Sequence, residues 1–506
     1  MLMGIAPLRP CLPGKAIRAH TAEKNNTISR ISQLEGRLDG LVSQLERSRV
    51  LPTDAKSLSP LSSDEDLSFS TIAPSLPTPV CGFASEESLV EFREKMLKYF
   101  PFMDLPHDAD WLKCHRPFLS KCILSATSQS TSTKLTLGEQ IKNELIQRVY
   151  INNDPRTVNI DLLLGLLTFI AWGHDNLLHK TAVKIPRFTQ LAIGLVFDLR
   201  LNKPQQESHT LPGKTWSKTQ ENTLEEKRAV LGCWMMSSVV SSYLKQIDPL
   251  QWTPYMDECL ETLAKSPESI NDEIFMHQIR LQRVAGEVDD MKHTGKFPLS
   301  FYITSFRHRI DIIKCNISPM VLKDRILLSS LYYADMSIYG ISLKDKSGTN
   351  PQSLGYLYMC LQTTKSAIEN FFEIPIIECI GLSFTFFTQL ARTILILFKL
   401  STFENEAWDT KFVRKEIDVL QVLDRLLKII DEAKSMIGSQ GDDGFLDRAA
   451  TIFATVKSWC LSKLEPGDVT VNDMASDATC DFIPDGNCTP EDFVLDDAWL
   501  KEYLNL

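Results

Sequence analysis

The chain has 506 residues, 43% of them hydrophobic and 23% charged, an ordinary balance for a globular protein with a sizeable core. Its net charge of −10 falls wholly in residues 465–506, which hold eleven acidic residues and one lysine, whereas residues 1–30 carry +4. Twelve scattered cysteines without a Cys-x-x-Cys pair exclude a disulfide scaffold and indicate reduced thiols inside a cell. The charge distribution points to nucleic acid at the basic end and a protein partner at the acidic end.

The beginning of the chain divides into three predicted segments. Residues 1–27 are basic and lack periodicity, which predicts disorder. Residues 28–47 predict a short coiled coil, because apolar residues recur at alternating spacings of three and four. The predicted dimerisation seam consists of Ile31, Leu34, Leu38, Leu41 and Leu45. Residues 48–83 contain repeated prolines and serines and predict a linker.

A lone helix of about 18 residues is marginal in water, so the segment at 28–47 needs a partner. We expect it to pair with a second chain. The alternative is an amphipathic helix that docks on its own domain.

Residues 84–464 predict a large helical domain, because apolar residues recur at helical spacing and strand-like alternation is hard to find. The first helix is predicted to begin after Ser85, a residue type that caps helix starts. The middle of the domain holds two apolar blocks, Leu162–Trp172 and Leu191–Leu201, which we expect to be buried on every side. Both blocks are shorter than the roughly 20 residues that span a bilayer.

The later part of the domain contains one long apolar segment, Ile380–Leu400. It includes Arg392, which is costly inside a membrane, so we predict a buried helix of a soluble protein. Its core-facing side is predicted to comprise Phe387, Leu390, Ala391, Ile394, Leu395 and Phe398, and that of the next helix Leu420, Leu423, Leu427 and Ile430. Polar interruptions at Pro204–Glu225, Lys344–Ser353 and Gly438–Gly444 predict surface loops.

Residues 465–506 form an acidic tail in which carboxylates alternate with large apolar side chains. Thr489, Pro490 and Glu491 form a helix-start signal, after which apolar residues follow at helical spacing. We predict disorder for the free tail and recruitment of a partner through Phe493, Trp499, Leu500 and Leu504. The alternative is a helix that docks back onto the protein's own body.

No pattern in the sequence predicts catalysis or a cofactor site. There is no phosphate-binding glycine loop, no HExxH and no nucleophile elbow. Cys114, His115 and Cys122 fit no common zinc spacing, and Asp442-Asp443 has no second magnesium motif to match it. His174 and His179 do not share a helical face, so we expect both to be polar cover on a loop.

Several segments in their order resemble the regulatory region of fungal binuclear zinc-cluster transcription factors. RISQLEGRLDGLVSQL is similar to the coiled coil that follows the zinc cluster in that family, and YFPFMDLP with RPFLSKCILSAT is similar to the opening of its middle region. IDLLLGLLTFIAW and QLAIGLVFDLRLNKP resemble its central helices. The resemblance covers about residues 30–260 and more loosely the rest of the helical body.

The resemblance implies a DNA-binding unit that holds two zinc ions through six cysteines, but residues 1–80 contain only Cys11. No zinc ligand can be carried over, so we expect no cofactor in this chain. Either the sequence begins downstream of the true start, or the protein is a regulator without its DNA reader. The basic residues before Arg30 would contact phosphates without sequence preference.

We therefore predict an all-α protein, with a large helical regulatory domain, a short N-terminal coiled coil and disordered termini. The predicted function is nuclear transcription regulation by dimerisation and recruitment, not catalysis. The expected partners are a second copy or a related regulator and the transcription machinery, with DNA bound weakly or through a partner and no membrane. One alternative is a regulator without DNA-binding activity that modulates intact relatives, and a further one is a helical enzyme.

Overall fold

A computed structural model describes residues 82–152, 155–177, 184–204, 222–294, 298–344, 351–437 and 444–464. The predicted coiled coil at 28–47 and the acidic tail at 465–506 lie outside these residues.

The described residues form seventeen α-helices and no strand, which confirms the prediction of an all-α protein. The first nine are α1 Glu86–Glu91, α2 Ala109–His115, α3 Pro117–Thr127, α4 Thr131–Ile146, α5 Ile160–Trp172, α6 His174–Leu177, α7 Lys184–Asp198, α8 Leu224–Leu244 and α9 Pro254–Lys265. The remainder are α10 Ile270–Thr294, α11 Leu299–Cys315, α12 Arg325–Tyr339, α13 Pro351–Phe372, α14 Phe384–Ser401, α15 Thr410–Glu416, α16 Val419–Ile437 and α17 Phe445–Leu464. A short 3₁₀ segment, Ile376–Gly381, precedes α14.

Polar residues at the helix starts explain why these segments begin where they do. Ser85 caps α1 as predicted, since its hydroxyl accepts the backbone N–H of Ser88 at 3.2 Å. Thr223 and Glu226 form a reciprocal capping box at the start of α8. Such caps satisfy backbone donors that would otherwise lack partners inside the protein.

Helix α5 is the most deeply buried element of the body. Every residue from Asp161 to Trp172 is buried, and the helix lies against α3, α7, α8 and α14. Asn159 begins the helix by accepting the N–H of Leu162 at 3.3 Å. The prediction that the first apolar block is buried on every side is therefore confirmed.

The second apolar block is only half-buried, so the corresponding prediction is wrong. In α7, Ala192, Leu195 and Val196 face the core, whereas Phe197 keeps 52% of its surface exposed. A Cβ added at Gly194 would meet no atom within 4 Å. Composition alone could not separate this helix from α5, because apolar residues also occur on the open side of α7.

Helix α14 is long and apolar enough to cross a membrane, but 67% of that stretch is buried inside the protein. Its Arg392 pairs with Asp289 at 3.3 Å and lies over the ring of Tyr333. The guanidinium is thus paired with a carboxylate and a ring inside the body, as expected for the core helix predicted from the sequence.

Two predicted helix faces differ in detail from the observed ones. In α14, Phe386, Leu397 and Leu400 are buried, whereas Phe387, Ala391 and Leu395 are only half-buried. In α16 the buried face is rotated about the helix axis relative to the predicted face. Valines and an alanine belong to the buried face together with some of the leucines. The buried residues there are Val419, Val422, Leu423, Leu426, Ile430 and Ala433, while Leu420 and Leu427 are half-buried.

Buried apolar side chains form three clusters among the described residues. The first core spans residues 84–279 with Phe384, the second 274–413, and the third 368–464 with Ile326 and Tyr99. Tyr99 belongs to the third core although it lies more than 200 residues before the other members in sequence. Its hydroxyl donates a hydrogen bond to Glu378 at 2.9 Å. Residues that are distant in sequence therefore pack together in the third core.

A matched pair of glycines tests the packing of α5. We expect Gly165→Ala to lower the free energy of unfolding by about 1–2 kcal/mol, because overpacking outweighs the gain in helix propensity. The new Cβ would lie 2.8 Å from Cε1 of Phe118, a ring that is fully buried. Gly194→Ala in α7 should instead be neutral or stabilising by up to about 1 kcal/mol.

Urea unfolding followed by circular dichroism measures both changes. Equal effects of the two substitutions would contradict the close α3–α5 contact.

Candidate functional site

The residues predicted for dimerisation and recruitment lie outside the described residues. These are Ile31, Leu34, Leu38, Leu41 and Leu45 near one end, and Phe493, Trp499, Leu500 and Leu504 near the other. Their positions stay predictions. Within the helical body, two arrangements of polar side chains stand out, one buried and one open.

The cysteine and histidine residues of α2 and α3 do not form a metal site. Cys114 is exposed, whereas Cys122 is buried, and burial raises the pKa of its thiol well above 9.0. His115 stacks on Trp111 with ring centroids 4.4 Å apart. Across the part of the chain that the structure describes, no group of three or more His, Cys, Asp or Glu residues is placed to hold a metal, and Asp442-Asp443 lies outside that part.

The buried arrangement, here called the polar junction, centres on the carboxylate of Asp175 in α6, which is 4% exposed. It accepts the backbone N–H of Phe445 at 2.6 Å and the guanidinium of Arg448 at 3.0 Å, both at the start of α17. The ammonium of Lys134 on α4 lies 3.3 Å away. The junction therefore joins elements that are about 270 residues apart in sequence.

His174 and Trp172 connect the same turn to the segment before α14. The imidazole Nε2 of His174 donates to the carbonyl of Leu382 at 3.0 Å, and the indole of Trp172 donates to the carbonyl of Gly381 at 2.9 Å. The His174 ring also stacks on Phe445 at 4.5 Å. The interpretation of His174 as polar cover on a loop is wrong, and His179 lies outside the described residues.

The electrostatics of the junction suit attachment rather than acid–base chemistry. Burial lowers the pKa of His174 from 6.5 to about 4, so the ring is neutral and acts as a hydrogen-bond donor. Burial alone would raise the pKa of Asp175, but Lys134 and Arg448 outweigh it and lower that pKa. The carboxylate stays charged and fully engaged, and the imidazole proton is committed to a backbone carbonyl.

The open arrangement, here called the α3–α8 cleft, has a volume of about 400 Å³. It is lined by Asp104, Leu105, Pro106, Trp111, Leu112, Arg116, Leu119, Thr223, Leu224, Glu225, Arg228 and Glu268. Arg116 at the start of α3 pairs with Glu225 in the first turn of α8 at 2.6 Å. This ion pair bridges the two helices that give the cleft its name.

Arg228 lines the cleft and forms a buried bidentate ion pair with Asp272. The two bonds measure 2.7 and 2.9 Å, and each side chain is 3% exposed. Burial alone would lower the pKa of Arg228, but its bonds to Asp272 and Glu268 raise it. Burial would raise the pKa of Asp272, yet the bond from Arg228 lowers it. Both groups therefore stay ionised.

Neither arrangement was predicted from the sequence. The partners of Asp175 and Arg228 lie 40 or more residues away from them along the chain, at helix starts that carry ordinary polar residues. The one available signal was the polar run between the two apolar blocks, which was assigned to a loop.

Comparisons with known proteins bear on the function. A family model described as a C-terminal domain, ATEG07667_C, matches residues 376–506. Transcription factor opdL of Penicillium oxalicum is 27% identical over 496 residues, covering 91% of this chain and 86% of that protein. A transcription factor of Aspergillus terreus is 28% identical over 430 residues, covering 78% of this chain and 64% of that protein. Transcription factor himD of Aspergillus japonicus is 24% identical over 463 residues, covering 85% and 74%.

No solved structure matches the chain. The relatives are fungal proteins named as transcription factors, which supports a role in transcription regulation. Transcription factors are not enzymes and in general act in the nucleus, and the comparisons give no positive sign of an enzymatic activity.

The polar junction generates a prediction about pH. Unfolded His174 gains a proton near pH 6.5 but the folded ring only near pH 4, so stability is lost as pH falls through this window. The loss attributable to this residue should reach roughly 3 kcal/mol at pH 4. His174→Gln keeps an N–H donor without a titrating group and should show a slope smaller by about 1.4 kcal/mol per pH unit.

Urea unfolding at several pH values between 4 and 7 measures both slopes. His277, whose pKa burial also lowers to about 4, remains in both proteins and gives each a residual slope. Identical slopes would contradict a buried, neutral His174.

Proposed function

We propose that this chain is a nuclear transcription regulator of the fungal zinc-cluster type that controls target genes through dimerisation and recruitment. The observation that carries the proposal is the similarity to transcription factor opdL, which extends over 91% of the chain. Such coverage must include most of the helical body and is not confined to one motif. The relatives' names support a role in transcription regulation. The sequence at the two ends of the chain supports dimerisation and recruitment.

Pairing is assigned to residues 28–47. The alternating three- and four-residue spacing of Ile31 through Leu45 makes an apolar stripe that is too short to be stable alone. Pairing with the same stripe of a second chain would remove these apolar side chains from water and stabilise the helix. The partner is a second copy or a related regulator with a matching seam.

Recruitment is assigned to the tail. Eleven acidic residues among residues 465–506 repel one another, which favours an extended chain with its apolar residues in reach of a partner. A groove with a basic rim in the transcription machinery would take Phe493, Leu500 and Leu504 as one face of a helix, with Trp499 at the side of that face. The proposed anchors are Phe493, Trp499, Leu500 and Leu504.

A second candidate function is a regulator that does not read DNA itself and acts on intact relatives by pairing with them. The observation that favours it is the apolar seam at residues 28–47, since the matching seam of a related regulator would bury this stripe as well as a second copy would. Under both candidates the basic residues 1–30 contribute phosphate contacts that depend on salt and not on sequence.

A fusion experiment tests the recruitment proposal. Residues 465–506 are fused to an unrelated DNA-binding domain, and the transcription of a reporter gene is measured. We expect activation, and we expect Phe493→Ala with Trp499→Ala to abolish most of it, because losing two buried aromatic anchors costs roughly tenfold or more in partner affinity.

Val469→Ala with Val471→Ala is the matched control, since it removes two apolar side chains from the same tail outside the proposed anchors. The control should activate like the unaltered tail. A silent unaltered tail would refute recruitment and favour docking of the tail on the body.

A further inference from the structure

We propose that the α3–α8 cleft binds a small apolar compound that carries a positively charged amine. The proposal goes beyond transcription regulation, because it assigns a ligand class to the helical body. It depends on the shape of the cleft, on the balance of charges around it and on one exposed carboxylate.

The size and walls of the cleft suit a small organic molecule. Its volume of about 400 Å³ falls in the range of ligand pockets, which is roughly 300–1,000 Å³. Pro106 and Leu224 are half-buried and supply apolar surface to its wall. Trp111 is 40% exposed, and its stacking on His115 fixes the plane of the indole. A flat apolar body would cover aromatic surface that is now open to water.

The charges around the cleft favour a cation. Three carboxylates and two guanidiniums line it, and Asp272 behind Arg228 adds a fourth carboxylate. Both guanidiniums are already engaged, Arg116 by Glu225 and Arg228 by Asp272 and Glu268. An incoming anion would meet guanidiniums that are already paired with carboxylates, with only the buried Nε of Arg116 left without a partner in the described part of the chain, and a net negative charge. An ammonium group would instead balance the excess.

Asp104 supplies the recognition point. It lines the cleft, is exposed, and has no hydrogen-bond or ion-pair partner among the residues that the structure describes. Glu268, which is half-exposed, offers a second carboxylate in the same cleft. An ammonium group has three N–H donors and can bond such oxygens while the indole of Trp111 adds cation–π attraction.

The test uses isothermal titration calorimetry on the full chain, with 2-(1-naphthyl)ethylamine as the probe. The matched neutral compound is 2-(1-naphthyl)ethanol, and 1-naphthylacetate is the anionic one. We expect the amine to bind about three- to tenfold more tightly than the alcohol, as for a solvent-accessible ion pair, and the anion to bind most weakly. Asp104→Asn should reduce the preference for the amine and leave the affinity for the alcohol unchanged.

Asp110→Asn is the control variant, because Asp110 is an exposed carboxylate on α2 that does not line the cleft. It changes the net charge equally and should keep the full preference for the amine. Circular dichroism confirms that both variants are folded. The proposal is overturned by equal affinity for amine and alcohol, by tighter binding of the anion, by an unchanged preference in Asp104→Asn, or by no amine binding at millimolar concentration.

Discussion

The carboxylate of Asp175 is the constraint on which the closure of the helical body depends. A charge buried to this degree is tolerated only when it is paired and hydrogen-bonded, and Asp175 receives a backbone N–H, a guanidinium and an ammonium group. Two of these donors belong to the first turn of α17 and one to α4. In the same turn, His174 and Trp172 donate hydrogen bonds to the segment that leads into α14. One short turn after α5 thereby fixes the position of α14 and the start of α17.

This constraint also anchors the start of α17, a helix that packs along α16 and forms ion pairs with it between Lys434 and Asp447 and between Lys457 and Asp424. The buried side chains of α17 are Ala449, Cys460 and Leu464, and much of its remaining surface is exposed. At its far end, Trp459 packs on Phe398 with ring centroids 4.6 Å apart. The helix is thus attached by polar contacts at its start, by α16 along its length and by apolar contacts at its end. Residue 465, where the acidic tail begins, follows directly on that end.

The sequence was sufficient for features that depend on local patterns. The start of α1 at Ser85 and the burial of α5 follow from a capping residue and from an uninterrupted apolar run. The sidedness of α7 was missed, because whether Phe197 is covered depends on a neighbour and not on Phe197 itself. The polar junction and the α3–α8 cleft were missed for a related reason. Asp175 and Arg228 are charged residues like many others until their distant partners are known.

In the sequence, the proposed pairing segment precedes the helical body and the proposed recruiting tail follows it. Light scattering of the purified protein tests most directly whether the intact chain acts as a pair, which is the central claim of this account. At micromolar concentration the account predicts twice the single-chain mass of 57.3 kDa, and the single mass for Leu38→Asp, since an apolar seam cannot solvate the new charge. Ser43→Asp, outside the seam, should leave the pair intact. A single-chain mass for the unaltered protein would contradict the account.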